Sequence, residues 1–146
     1  MFIKLNKKGF TLVEIMIVVA IIAIIAAIAI PSLLKSKMAA NESSAISSLR
    51  TLTSVQEQYR QTMTGGKRYC NDLSMLSVLE YVDGVLGVRR KSGYHFTVMT
   101  ESMSADGYID LWNCQQNPIN PKNGERYFFV NETGVLRFCT TGPADE

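Results

Sequence analysis

Chemistry-bearing residues are scarce in this chain of 146 residues, and each shortage closes off a class of function. There is one histidine, His95. A metal site would need further ligands that no Cys/His spacing supplies, so His95 reads as an exposed strand residue. The serines have no placed base beside them, which leaves no nucleophile triad. Asp106, Asp110 and Glu125 lack the dense acidic loop that calcium coordination favours. Three cysteines, Cys70, Cys114 and Cys139, are scattered without a CxxC pair. The reading is of a chain with no catalytic residues, no metal and no cofactor.

The longest absence is of polar side chains. Residues 15–30 carry none, inside the stretch KKGFTLVEIMIVVAIIAIIAAIAIP of residues 7–31. With Phe10 through Val13 before and Leu33 and Leu34 after, the run is about 25 residues, a helix of roughly 37 Å that crosses a bilayer core of ~30 Å with some tilt. Lys4, Lys7 and Lys8 all precede it. By the positive-inside bias they hold the N-terminus in the cytoplasm and send the rest of the chain across. Glu14 is the anomaly, since a carboxylate in such a helix costs ~2.5–3.5 kcal/mol on insertion scales and calls for a partner or a function.

A permanent signal anchor would need only the apolar length. An ordinary secretory signal is supported by the small-x-small pattern Ala27-Ile28-Ala29, and opposed by the acid and by the length of the run. A third reading rests on Lys7-Lys8-Gly9-Phe10-Thr11-Leu12-Val13-Glu14, which resembles the prepilin processing signal of type IV pilins and type II secretion pseudopilins. The resemblance implies cleavage after Gly9 by a prepilin peptidase, methylation of the new N-terminal Phe10, and neutralisation by Glu14 of a neighbouring subunit's amine during assembly. It covers about 25 residues closely and the remainder in outline.

The formal charge of +2 belongs to the leader, because removing Lys4, Lys7 and Lys8 leaves 12 Lys plus Arg against 13 Asp plus Glu, a sum of −1. A nucleic-acid partner argued from net charge therefore fails. The local triplet Arg89-Arg90-Lys91 reads as a solvated basic turn rather than a phosphate contact. Export exposes the cysteines to oxidising chemistry, so one disulfide with one thiol left over is the expected arithmetic, with the pairing open on the residues alone. The resemblance favours Cys114 with Cys139. The Cys114–Cys139 loop would contribute ~3 kcal/mol, and Cys70 with either partner is the alternative.

Beyond Pro31, which removes a backbone donor and kinks or loosens the preceding turn, the apolar period continues. Met38, Ala45, Leu49, Leu52, Tyr59 and Met63 fall on one helix face, with Asn41, Glu42, Ser43, Ser47, Ser48, Arg50 and Glu57 on others. One helix is expected from Phe10 to about Thr62, ended by Gly65-Gly66. Next come a short helix capped by Asn71 or Asp72 and closed at Asp83-Gly84, and strands over residues 94–100, 108–114, 126–130 and 135–139. A turn at Ala105-Asp106-Gly107, a loop over residues 116–124 and a turn at residues 131–134 separate them.

The expected fold is α+β: a pilin-like ladle whose long helix packs on an antiparallel sheet of three or four strands. The expected organisation is leader 1–9, transmembrane and filament-core helix 10–34, amphipathic half 35–62 and globular head 63–146. The function that the resemblance implies is that of a structural subunit of a type IV pilus or pilus-like filament, polymerising through its apolar helix, with Pro31 giving flexibility. A type II secretion pseudopilin is the alternative, and an exported or anchored binding domain the third. Implied partners are like subunits, the prepilin peptidase and methyltransferase, the inner-membrane assembly machinery and lipid. Implied locations are the inner membrane before assembly, and an extracellular pilus or periplasmic pseudopilus after it.

Overall fold

A computed structural model describes residues 9–101, 108–109 and 111–140. The expected turn at Ala105-Asp106-Gly107 and the candidate ligands Asp106 and Asp110 lie outside them. The chain divides into two compact units, Met1–Ser36 and Lys37–Glu146. The first consists, as described, of the apolar part of helix α1, which is assigned over Leu12–Thr64 with Pro31 inside it. Helix-forming side chains on both sides outweigh the one bond that proline forfeits, so the helix continues through it.

In the second unit the rest of α1 supplies the stripe Ala45, Leu49, Leu52, Val55 and Tyr59, all buried. Met38 is half-buried and Met63, in the last turn beyond this stripe, is exposed. Two positive-φ glycines, Gly65 and Gly66, end the helix. The Gly66 N–H turns back to the Arg60 carbonyl at 2.8 Å, and the Arg60 side chain donates to the Gly66 carbonyl at 2.9 Å.

Helix α2 spans Leu73–Val78 and its N-cap is Asp72, whose carboxylate accepts from the Ser74 N–H. Asp83-Gly84 does not close this element but opens another: Asp83 caps α3, Gly84–Gly87, by accepting from the Leu86 N–H. Sequence patterning assigned these residues to a helix end because an Asp-Gly pair serves equally as a turn and as an N-cap.

Five strands complete the unit: β1 Arg90–Lys91, β2 Tyr94–Glu101, β3 Leu111–Pro118, β4 Tyr127–Asn131 and β5 Arg137–Cys139. They form one antiparallel sheet in chain order. The antiparallel layout matches expectation with one strand more, because Arg90 and Lys91 pair with His95 and Tyr94. β3 also reaches into the expected 116–124 loop, since Gln116, Asn117 and Pro118 remain in register with Phe96, His95 and Tyr94.

Alternation sorts the two faces. Tyr94, Phe96, Trp112, Cys114, Gln116, Phe128 and Val130 are buried and turned toward one side. All but Gln116 belong to one apolar cluster with Leu49 and Leu52 of α1. Each large apolar side chain buried there contributes about 1.5–3 kcal/mol. Both edge strands are short, which limits pairing with other chains.

The expected disulfide is corrected by the register. Cys114 pairs with Val130, and Cys139 pairs with Tyr127. Val130 and Tyr127 are an odd number of residues apart on β4, so the two cysteines stand on opposite faces of the sheet. With β4 between them their strands are about 9.5 Å apart, beyond the ~4.4–6.8 Å that a disulfide spans between Cα atoms. No disulfide joins Cys114 to Cys139 or Cys70 to either. Cys70 instead lies buried in the core, its thiol turned to the Asp72 carbonyl at 3.2 Å.

Candidate functional site: the apolar start of helix α1

Gly9 and Phe10 precede α1 and are exposed, Phe10 at 85%. Thr11 stands at the N-cap position, and Glu14 at the third residue of the helix. The Thr11 N–H and hydroxyl both donate to Glu14 Oε2 at 2.7 Å, and the Glu14 N–H donates to Thr11 Oγ1 at 3.2 Å. This reciprocal pattern is a capping box, in which each residue satisfies the other's exposed backbone donor. Glu14 Oε1 has no partner among the described residues, so the carboxylate is oriented by Thr11 on one oxygen and open on the other. Thr11 is the residue sequence reasoning missed, although the Thr-x-x-Glu spacing before an apolar run was there to signal it.

From Leu12 to Ile30 the large apolar side chains have no cover. Leu12, Ile24 and Ile28 are 74%, 65% and 73% exposed. The most apolar window of α1 has a mean hydropathy of 3.1 and none of it is buried, which makes α1 long and apolar enough to cross a membrane. In water such a surface is a large hydrophobic liability, and it points to lipid or protein as its surroundings. Pro31 falls at the end of this segment and leaves one carbonyl of the preceding turn without its helical donor.

The other sequence candidates disperse. His95 is half-buried on the outward face of β2, with Thr97 Oγ1 at 3.4 Å from Nδ1. Among the described residues no three His, Cys, Asp or Glu side chains gather as metal ligands. Glu125 is exposed and its backbone N–H donates to Glu42. In the basic triplet, Arg89 pairs with Asp72 at 3.0 Å and Lys91 with Asp83 at 2.7 Å, so two of its three cations already have carboxylate partners. Asp72 is held down at about 2 by the Ser74 hydroxyl and N–H and by Arg89. Cys114 is pushed up to about 12 by burial, which leaves its thiol protonated and inert.

No solved structure matches the chain. Residues 4–30 match the family model of the prokaryotic N-terminal methylation motif. They span the candidate cleavage position, the capping box and the uncovered apolar helix, and with them the chain carries the signal typical of type IV pilin and pseudopilin prepilins.

Proposed function

We propose that the chain is a prepilin: cut after Gly9, methylated at Phe10, held in the inner membrane with its N-terminus cytoplasmic, and then polymerised into a type IV pilus or pilus-like filament. The supporting observation is a coincidence of position. The methylation motif over residues 4–30 overlies a helix segment whose large apolar side chains are exposed and whose single acid is oriented by Thr11. Lipid covers that segment first and like subunits cover it afterwards, residues 1–9 being the leader, 10–34 the membrane and filament-core helix, 35–62 its amphipathic half and 63–146 the head. Glu14 then pairs through its open oxygen with a neighbour's new amine, and Pro31 loosens the helix during packing. The partners are the prepilin peptidase and methyltransferase, the assembly machinery and identical or homologous subunits.

A type II secretion pseudopilin is the second reading. The methylation motif over residues 4–30 supports it equally. Mass spectrometry of the mature N-terminus tests the common ground. Methyl-phenylalanine at Phe10 is expected; an N-terminus at Ile30 would mean an ordinary signal peptide, and an intact Met1 a permanent tether. Glu14→Ala is expected to insert in the membrane yet give few filaments, and filament yield equal to the unmodified chain would remove the role given to the acid.

A further inference from the structure

We propose that the cleft between α1 and the α2–α3 segment binds a neutral saccharide. The cleft has a volume of about 490 Å³, within the ~300–1,000 Å³ of ligand pockets. Its wall is mixed, with Tyr81, Val82 and Leu86 beside polar groups. Ser47, Ser48 and Thr51 of α1 face Ser77, Glu80 and Lys91 across it.

The free hydrogen-bonding capacity of these groups is mixed in sign. Ser48 and Thr51 donate their hydroxyl protons to the carbonyls of Ser44 and Ser47, at 3.0 and 3.1 Å, and so remain acceptors. The Ser47 and Ser77 hydroxyls and the Glu80 carboxylate have no partner among the described residues. Lys91 gives one proton to Asp83 Oδ2 and has two left. An anion would meet Glu80 and Asp83, a cation would find only the Glu80 carboxylate because Asp83 is paired with Lys91, and an apolar ligand would bury unpaired hydroxyls. A sugar hydroxyl both donates and accepts, so a polyhydroxyl ligand without charge satisfies every one of these groups.

Backbone strain gathers at the same place. Glu80 sits at φ +60°, in the left-handed region that non-glycine residues avoid. Its N–H bonds to the Ser77 carbonyl at 3.1 Å, and the next N–H, of Tyr81, to the Leu76 carbonyl at 2.9 Å. These bonds hold the strained turn that presents the carboxylate, an arrangement that recurs at binding sites. The same wall is fixed by close approach of α3 to α2, because a Cβ on Gly87 would overlap the Ser77 side chain.

The test uses the full chain in a detergent without a sugar head group, screened by saturation-transfer NMR against glucose, galactose, N-acetylglucosamine and N-acetylgalactosamine. At least one is expected to bind with a dissociation constant of about 1 mM. Glu80→Gln and Ser47→Phe, the latter filling the cleft from an exposed helix position, should each weaken it by about tenfold or more. Glu125→Gln, remote from the cleft lining, should bind as the unmodified chain does, and circular dichroism confirms that each variant is folded. No saturation transfer from any of the four sugars at about 20 mM overturns the proposal. So does binding that neither cleft variant weakens, or displacement of the sugar by inorganic phosphate or calcium.

Discussion

Gln56 is fully buried on α1, and both ends of its amide are used: Nε2 donates to the Cys70 carbonyl at 2.7 Å and Oε1 accepts the Cys70 N–H at 2.8 Å. This is a two-bond clamp between the helix and the segment leading to α2. Gln116, also fully buried, makes one bond, Nε2 to the Ala45 carbonyl at 3.1 Å, and its Oε1 is unpartnered. The same substitution should therefore have different effects. Gln56→Leu orphans a buried N–H and C=O and should cost about 2–3 kcal/mol, whereas Gln116→Leu removes an orphan along with a bond and should cost under about 1 kcal/mol. Chemical denaturation of the full chain in detergent measures both, and equal losses would contradict the clamp. Neither glutamine was legible in sequence: Gln56 beside the apolar stripe of α1 looks like surface until its partner is placed, and Gln116 falls in the expected 116–124 loop until the register extends β3 through it.

Among the elements, α2 and α3 depend on aspartate caps that also hold cations: Asp72 with Arg89, and Asp83 with Lys91. Asp72 is depressed to about 2 from its ordinary 3.8. Its contribution is fully present above the unfolded value and is lost as pH falls from there through the folded value. Thermal melts of the unmodified chain and Asp72→Asn should hence differ at pH values above about 4 and converge toward pH 2. Because the pair is largely exposed, the difference will be small. Sheet packing sets a second requirement. The Tyr94 hydroxyl donates to the Arg126 carbonyl at 3.0 Å, and a Cβ on Gly124 would overlap that hydroxyl. Gly124→Ala should cost about 1–3 kcal/mol by overpacking, read as a lower denaturation midpoint. At the start of α1, Thr11→Ala should fray the first turn at a cost of about 0.5–2 kcal/mol. Faster amide exchange confined to residues 12–14 is the expected sign, and unchanged exchange there would count against the capping box.

For the whole molecule, stability of the Lys37–Glu146 unit rests on one apolar cluster rather than on a covalent staple. The thermal midpoint should be the same with and without a thiol reductant, and Cys114 should react with iodoacetamide only once the chain unfolds, since burial holds it at about 12. A drop in midpoint on reduction would show a disulfide that the sheet register forbids. The proposed functions divide along the chain in the same way. The methylation motif and the uncovered apolar helix occupy residues 4–30, while the cleft lined by Ser47, Ser77 and Glu80 belongs to the second unit.

The sequence by itself determined what depends on local order and composition. The apolar run with its lone acid, the helical stripe Ala45, Leu49, Leu52 and Tyr59, the glycine stop at Gly65-Gly66 and the alternating strands are all set by short-range periodicity and backbone preference, which are written residue by residue. Only the tertiary structure decided what depends on which strand lies next to which. That two cysteines on β3 and β5 face opposite ways, that Arg90-Lys91 forms an edge strand, and that hydroxyls from α1 meet Glu80 across a cleft are consequences of register and packing. Those relations join residues distant in the chain, and no window of the sequence contains both sides of them.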